Sequence, residues 1–115
     1  MTITILHNPD CSKSRRCLQI LLNSGIQPNI IEYLQTPPTY GELKNIITQL
    51  NMTPRDMIRT NEEPYSRLNL GSKTLSDEQL IAAMVDNPIL IQRPIILAHG
   101  MAVIGRPPES IFDLV

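Results

Sequence analysis

Tryptophan is absent from this 115-residue chain, and aromatic side chains amount to one phenylalanine and three tyrosines. A core that aromatics cannot fill must be built from Ile, Leu, Val and Met. Cysteine is nearly as scarce: two residues are too few for a disulfide scaffold, so each thiol is judged on its own surroundings. Neither sign of charge dominates. Ten basic residues against eleven acidic ones leave a net charge of −1, which offers no general attraction to nucleic acid. No apolar run approaches the ~20 residues of a membrane span, and residues 1–5 have neither the basic region nor the long apolar core of a signal peptide. Repeats and low-complexity tracts are missing as well. What is there is a chain 42% apolar, the size of one compact domain spanning 1–115. It is expected in the cytoplasm, where thiols stay reduced.

Hydrophobic spacing orders the chain. Residues 2–6 alternate Thr with Ile and read as a strand, which residues 7–10 break. Residues 14–23 read as a helix with Cys17, Leu18, Leu21 and Leu22 on one face and Gly25 as its C-terminal cap. Residues 29–33 give a second strand. Thr39 with Glu42, and Ser76 with Gln79, have the spacing of capping boxes, each followed by an apolar stripe. Between them Thr53 and Pro54 open a shorter helix, with Pro at the tolerated first position. Residues 95–98 and 101–104 flank His99-Gly100 as a tight hairpin, and 107–109 start a last short helix. The expected fold is α/β: a βαβ half and a ββα half, the element order of a thioredoxin-like fold, with a helical subdomain inserted at about 39–87.

The chemistry concentrates on Cys11. It lies between the first strand and the first helix, where free backbone amides and the positive helix end favour a thiolate; Lys13, Arg15 and Arg16 add charge. The alternative is a small apolar residue at a strand end, but Asn8, Pro9 and Asp10 mark a loop. Cys17, six residues on, is ~9 Å along a helix axis, too far for a disulfide without backbone movement. It reads as a core thiol, with a resolving thiol as the alternative. Cys-x-x-Cys fails because Ser14 stands in the second position, and Cys-x5-Arg fails at Cys17. Arg59, Arg93 and Arg106 stand at element ends: Arg59 closing the Pro54 helix, the other two each before a proline. Alone each reads as surface charge; together they suit a tetrahedral oxyanion over a helix N-terminus. His7 is a possible thiolate partner, with loop ordering as its alternative.

The run His7-Asn8-Pro9-Asp10-Cys11-Ser12-Lys13-Ser14-Arg15 resembles the His-Asn-Pro-x-Cys-x-x-Ser-Arg motif of the glutaredoxin-coupled arsenate reductases. The resemblance continues through Glu32-Tyr33-Leu34, Pro37-Pro38-Thr39, residues 59–65, residues 87–95 and Gly105-Arg106-Pro107. It implies a thioredoxin-like fold with a helical insertion, Cys11 as nucleophile, Arg59, Arg93 and Arg106 as anion ligands, His7 as the motif histidine, and a cis bond at Pro94. It also implies arsenate as substrate, glutathione as co-substrate, glutaredoxin as partner, and no bound metal or organic cofactor. Lys13 and Cys17 depart from the well-studied enzymes. Two alternatives keep the same residues: a reductase of another small oxyanion or of a glutathione disulfide, and a non-catalytic regulator of the branch that binds RNA polymerase. That branch usually carries the Cys-x-x-Cys that Ser14 removes.

Overall fold

The computed structural model describes residues 2–113 and divides into two compact units, residues 1–36 with 93–115 and residues 37–92. In the first unit β1 (Ile3–His7), α1 (Ser12–Asn23) and β2 (Asn29–Glu32) form the βαβ half. The other half is β3 (Ile95–Ala98), β4 (Met101–Ile104) and a 3-10 segment, Pro108–Asp113. The sheet order is β2-β1-β3-β4, with β1 parallel to β2 and antiparallel to β3. This is the thioredoxin-like arrangement that the element order implied.

The interior strands carry the core. Ile3 and Ile5 of β1, Ile96 and Ala98 of β3, Cys17 and Leu21 of α1, and Ile111 are buried in one cluster. These are mostly the aliphatic residues that a chain without tryptophan must use. Burying each large aliphatic side chain is worth roughly 1.5–3 kcal/mol. The edge strand β2 is mostly exposed.

Local signals explain where elements end. Gly25 adopts a φ of +79°. Its N–H donates to Leu22 O and that of Ile26 to Leu21 O, both at 3.0 Å. This Schellman motif satisfies the last carbonyls of α1. The β3–β4 hairpin turns on His99 and Gly100, with φ of +56° and +70°. Positive φ at both turn residues is the type I′ signature, whose twist matches the strands it joins.

Several boundaries differ from the sequence reading by one or two residues: β1 starts at Ile3 rather than residue 2, and β2 ends at Glu32 rather than residue 33. The first helix begins at Ser12 rather than near Ser14, because polar residues occupy its first turn and the apolar stripe starts only afterwards. The first strand runs on to His7: its pairing with β2 continues to His7 opposite Glu32.

The second unit is helical: α2 (Tyr40–Gln49), α3 (Pro54–Met57), α4 (Glu63–Arg67), α5 (Asp77–Asp86) and a 3-10 turn, Pro88–Leu90. The Thr39–Glu42 and Ser76–Gln79 capping boxes both form. A third forms at Thr53 and Asp56, with aspartate in the place that Glu or Gln usually takes. Leu43, Ile46 and Ile47 of α2, Met57 of α3, and Leu80, Ile81 and Met84 of α5 are buried. α2 and α3 both pack against α5.

Candidate active site

Cys11 is the N-cap of α1, in extended conformation. Its N–H donates to Asn8 O at 3.0 Å, and its carbonyl accepts the first helical bond from the Arg15 N–H, also 3.0 Å. The loop between is tied at several points. Asn8 Oδ1 accepts the Asp10 N–H at 3.0 Å. The Arg15 guanidinium donates to Pro9 O at 2.9 Å. The Asn8 N–H donates to Ser14 Oγ at 3.0 Å. The sequence β1–loop–α1 therefore holds one thiol at the open end of a helix, where backbone donors lack intrahelical partners.

Burial alone would push the Cys11 thiol up. The backbone N–H groups of Ser14 and Lys13 and the Arg93 guanidinium bond the anion and outweigh burial, so its pKa lies below the ordinary thiol value. The helix-start amides expected from the sequence are among these donors, whereas the added charges of Lys13, Arg15 and Arg16 are not. In the structure Lys13 acts through its amide, and Arg15 is turned to the Pro9 carbonyl.

Two of the three arginines meet at Cys11. Arg93 lies within hydrogen-bonding reach of its sulfur and beside the fully buried Tyr33. Arg106 Nη2 lies 4.0 Å from Cys11 Sγ, while its Nε donates to Arg93 O at 2.6 Å. Both are followed by cis prolines, Pro94 and Pro107; only the first is implied by the resemblance. Nε and Nη1 of Arg93 are buried with no hydrogen-bond partner among the described residues. Buried donors of a charged group without an acceptor are costly, and an anion at this point would satisfy them.

Arg59 belongs to the second unit. It does not close the Pro54 helix: α3 ends at Met57, and Arg59 follows the Ile58–Ile91 bridge, its N–H donating to Leu90 O at 2.7 Å. Its guanidinium pairs with Glu62 at 3.2 Å, and its buried Nε has no partner among the described residues.

His7 bonds elsewhere than at the thiol. Its Nδ1 is 2.6 Å from Ser14 Oγ, and no hydrogen bond joins it to Cys11 among the described residues. Ser14 Oγ also accepts the Asn8 N–H, so one hydroxyl ties the ring to the loop backbone. Burial lowers the His7 pKa, with Glu32 opposing and Arg15 assisting.

Ser14 is the residue that sequence reasoning missed. It is fully buried and organises both His7 and the Asn8 amide. The signal was the helical period: the stripe of Cys17 and Leu21, continued one turn toward the N-terminus, falls on position 14.

Cys17 is a core residue, completely buried. Its thiol donates to Gly105 O at 3.4 Å. Burial, with Glu109 nearby, pushes its pKa to about 11, so it stays protonated at neutral pH. Among the described residues no three His, Cys, Asp or Glu side chains cluster as metal ligands. Nor is any helix among them long and apolar enough to cross a membrane.

This geometry has close counterparts. The structure of an arsenate reductase from Vibrio cholerae superimposes with a TM-score of 0.97 at 48% identity, covering 100% of this chain and 98% of that one. An arsenate reductase of Yersinia enterocolitica is 46% identical over 112 residues, 97% of this chain and 79% of the relative. The Escherichia coli K12 protein named uncharacterized protein YfgD is 46% identical over 114 residues, 98% of this chain and 96% of that protein. The ArsC family model matches residues 6–114. With Cys11 and both of its arginines inside that match, the chain belongs to the ArsC family.

Proposed function

We propose that the protein is an arsenate reductase that works through a Cys11 thiolate, with glutathione and glutaredoxin as electron donors. The observation that carries this reading is the convergence of a depressed-pKa thiol, helix-start amides, Arg93 and Arg106 on one point. Arsenate is tetrahedral and negatively charged, and these are the donors such an anion needs. The relatives named arsenate reductase add support from sequence. From the family resemblance, Arg59 is proposed as a third anion ligand.

The reaction follows from the residues. The Cys11 sulfur attacks arsenic; a sulfur–arsenic bond forms and one oxygen leaves as water or hydroxide, with arsenic still pentavalent. The arginines neutralise the oxyanion and lower the barrier to attack by a thiolate on an anion. Glutathione then attacks the adduct, forming a second sulfur–arsenic bond as another oxygen leaves as water. The glutaredoxin thiol attacks the glutathione sulfur; a mixed disulfide forms as two electrons pass to arsenic, As(V) becoming As(III). Water then cleaves the Cys11–arsenic bond, releasing arsenite and restoring the Cys11 thiolate. Every cation in this scheme is a side chain of the chain itself, and the proposed reaction uses no metal or organic cofactor.

The test is arsenate-dependent NADPH oxidation in the presence of glutathione, glutathione reductase and glutaredoxin. Wild type is expected to turn over and Cys11→Ser to be inactive with an unchanged fold. Wild-type activity with another small oxyanion such as selenate and none with arsenate would replace arsenate by another substrate.

A further inference from the structure

A fully buried second thiol and a glycine with no room for a side chain meet in the first unit, and neither takes part in the proposed reaction. Cys17 Sγ donates to Gly105 O at 3.4 Å and lies 3.9 Å from Pro108 O. A Cβ added at Gly105 would stand 2.3 Å from that sulfur, 3.0 Å from Pro94 Cγ and 3.3 Å from Ile96 Cδ1. Residue 105 is therefore pressed between α1 on one side and the start of β3 on the other, and its N–H donates to Pro94 O at 2.9 Å. The next residue is Arg106, which reaches Cys11. Cys11 caps the helix that carries Cys17, so whatever fixes residue 105 against Cys17 also fixes Arg106 against Cys11.

We propose that Cys17 and Gly105 form a size-matched contact that sets the position of Arg106, making Cys17 a positioning residue for the anion site rather than a second redox thiol. The inference deepens the oxyanion reading and rests on it for the nature of the ligand. The sulfur fills the space that a side chain at 105 would need, and its S–H anchors the carbonyl one residue before the arginine. Alanine at 17 removes both the volume and the donor. Serine keeps a donor with a shorter reach.

The test is alkylation of Cys11 by iodoacetamide, followed by mass spectrometry, against pH and against arsenate concentration, together with thermal melting. The variants are Cys17→Ser, Cys17→Ala, Gly105→Ala and the double variant Cys17→Ala/Gly105→Ala. Gly105→Ala is expected to raise the Cys11 midpoint. It should also raise the arsenate concentration needed for half-protection by about tenfold, equivalent to loss of one charge-assisted hydrogen bond. Cys17→Ala is expected to move both readouts a few-fold in the same direction, with Cys17→Ser between it and wild type. The double variant should return toward wild type, because the new methyl group occupies the vacated sulfur site. Where Gly105→Ala fails to fold, the two Cys17 variants decide. Lower melting with wild-type midpoint and protection would overturn the proposal, since a contact that only fills the core does not reach the thiol. If arsenate fails to protect even wild type, the midpoints alone decide. Shifted midpoints in the variants, alongside a wild type that reduces no arsenate, would uphold the positioning role and remove the arsenate reductase reading.

Discussion

Arg93→Ala removes the side-chain donor that acts on Cys11 most directly. A hydrogen bond to a charged group is worth roughly 1.5–3 kcal/mol. One pKa unit corresponds to about 1.4 kcal/mol. The Cys11 midpoint should therefore rise by about one to two units. Arg106 Nη2 stands 4.0 Å from the sulfur, beyond a short charge-assisted bond, so Arg106→Ala should raise it by less than Arg93→Ala. Arg93→Lys should fall between wild type and alanine, because lysine keeps the charge and loses the planar fork. The assay is the rate of Cys11 alkylation from about pH 5 to pH 9. Cys17 does not interfere there, being buried and ionising only near 11. Amides of Ser14 and Lys13 remain in every variant, so the thiol should stay partly activated even without Arg93. An unchanged midpoint in Arg93→Ala would refute the reasoning, since it would mean that the helix-start amides alone hold the thiolate.

Ser14→Ala should destabilise the fold by about 1–3 kcal/mol, the cost of leaving the buried Asn8 N–H without a partner; a denaturant midpoint equal to wild type would contradict the buried network. The raised Cys17 pKa makes the protonated thiol the form that folding favours. That stability is complete below the unfolded thiol value of about 8.5 and is lost as pH rises through the folded value near 11. Wild type should therefore lose melting temperature over that window more steeply than Cys17→Ala. Thr53→Ala removes the cap of α3, whose side chain accepts the Asp56 N–H, and should cost ~1 kcal/mol in thermal or denaturant unfolding.

How much was legible from sequence depends on the range of the forces involved. The β3–β4 hairpin was read to the residue, because His99-Gly100 is a local turn signal flanked by β-branched and aliphatic runs. Thr39–Glu42 and Ser76–Gln79 were read for the same reason: a capping box closes within four residues. Cys11 was legible because its place between strand and helix already defines its electrostatics. The meeting of Arg93 and Arg106 came from the family resemblance and from their place at element ends; the link between them, Arg106 Nε to Arg93 O, spans thirteen residues and leaves no local trace. His7 was read as a possible thiolate partner because it lies four residues before Cys11. That spacing says nothing of direction, and the ring turns to Ser14. Gly105 was illegible for a related reason. Its role is the absence of a Cβ against a sulfur that lies 88 residues earlier in the chain.

Arsenic speciation of the reaction mixture tests the central claim most directly. Arsenate, glutathione, glutaredoxin and a reducing system are incubated with wild type, Cys11→Ser or Cys17→Ala, and arsenite is separated and quantified. Cys11 chemistry predicts arsenite in step with NADPH consumed for wild type, arsenite still formed by Cys17→Ala, and none above background for Cys11→Ser. Undiminished arsenite from Cys11→Ser, or no arsenite from wild type, would contradict it.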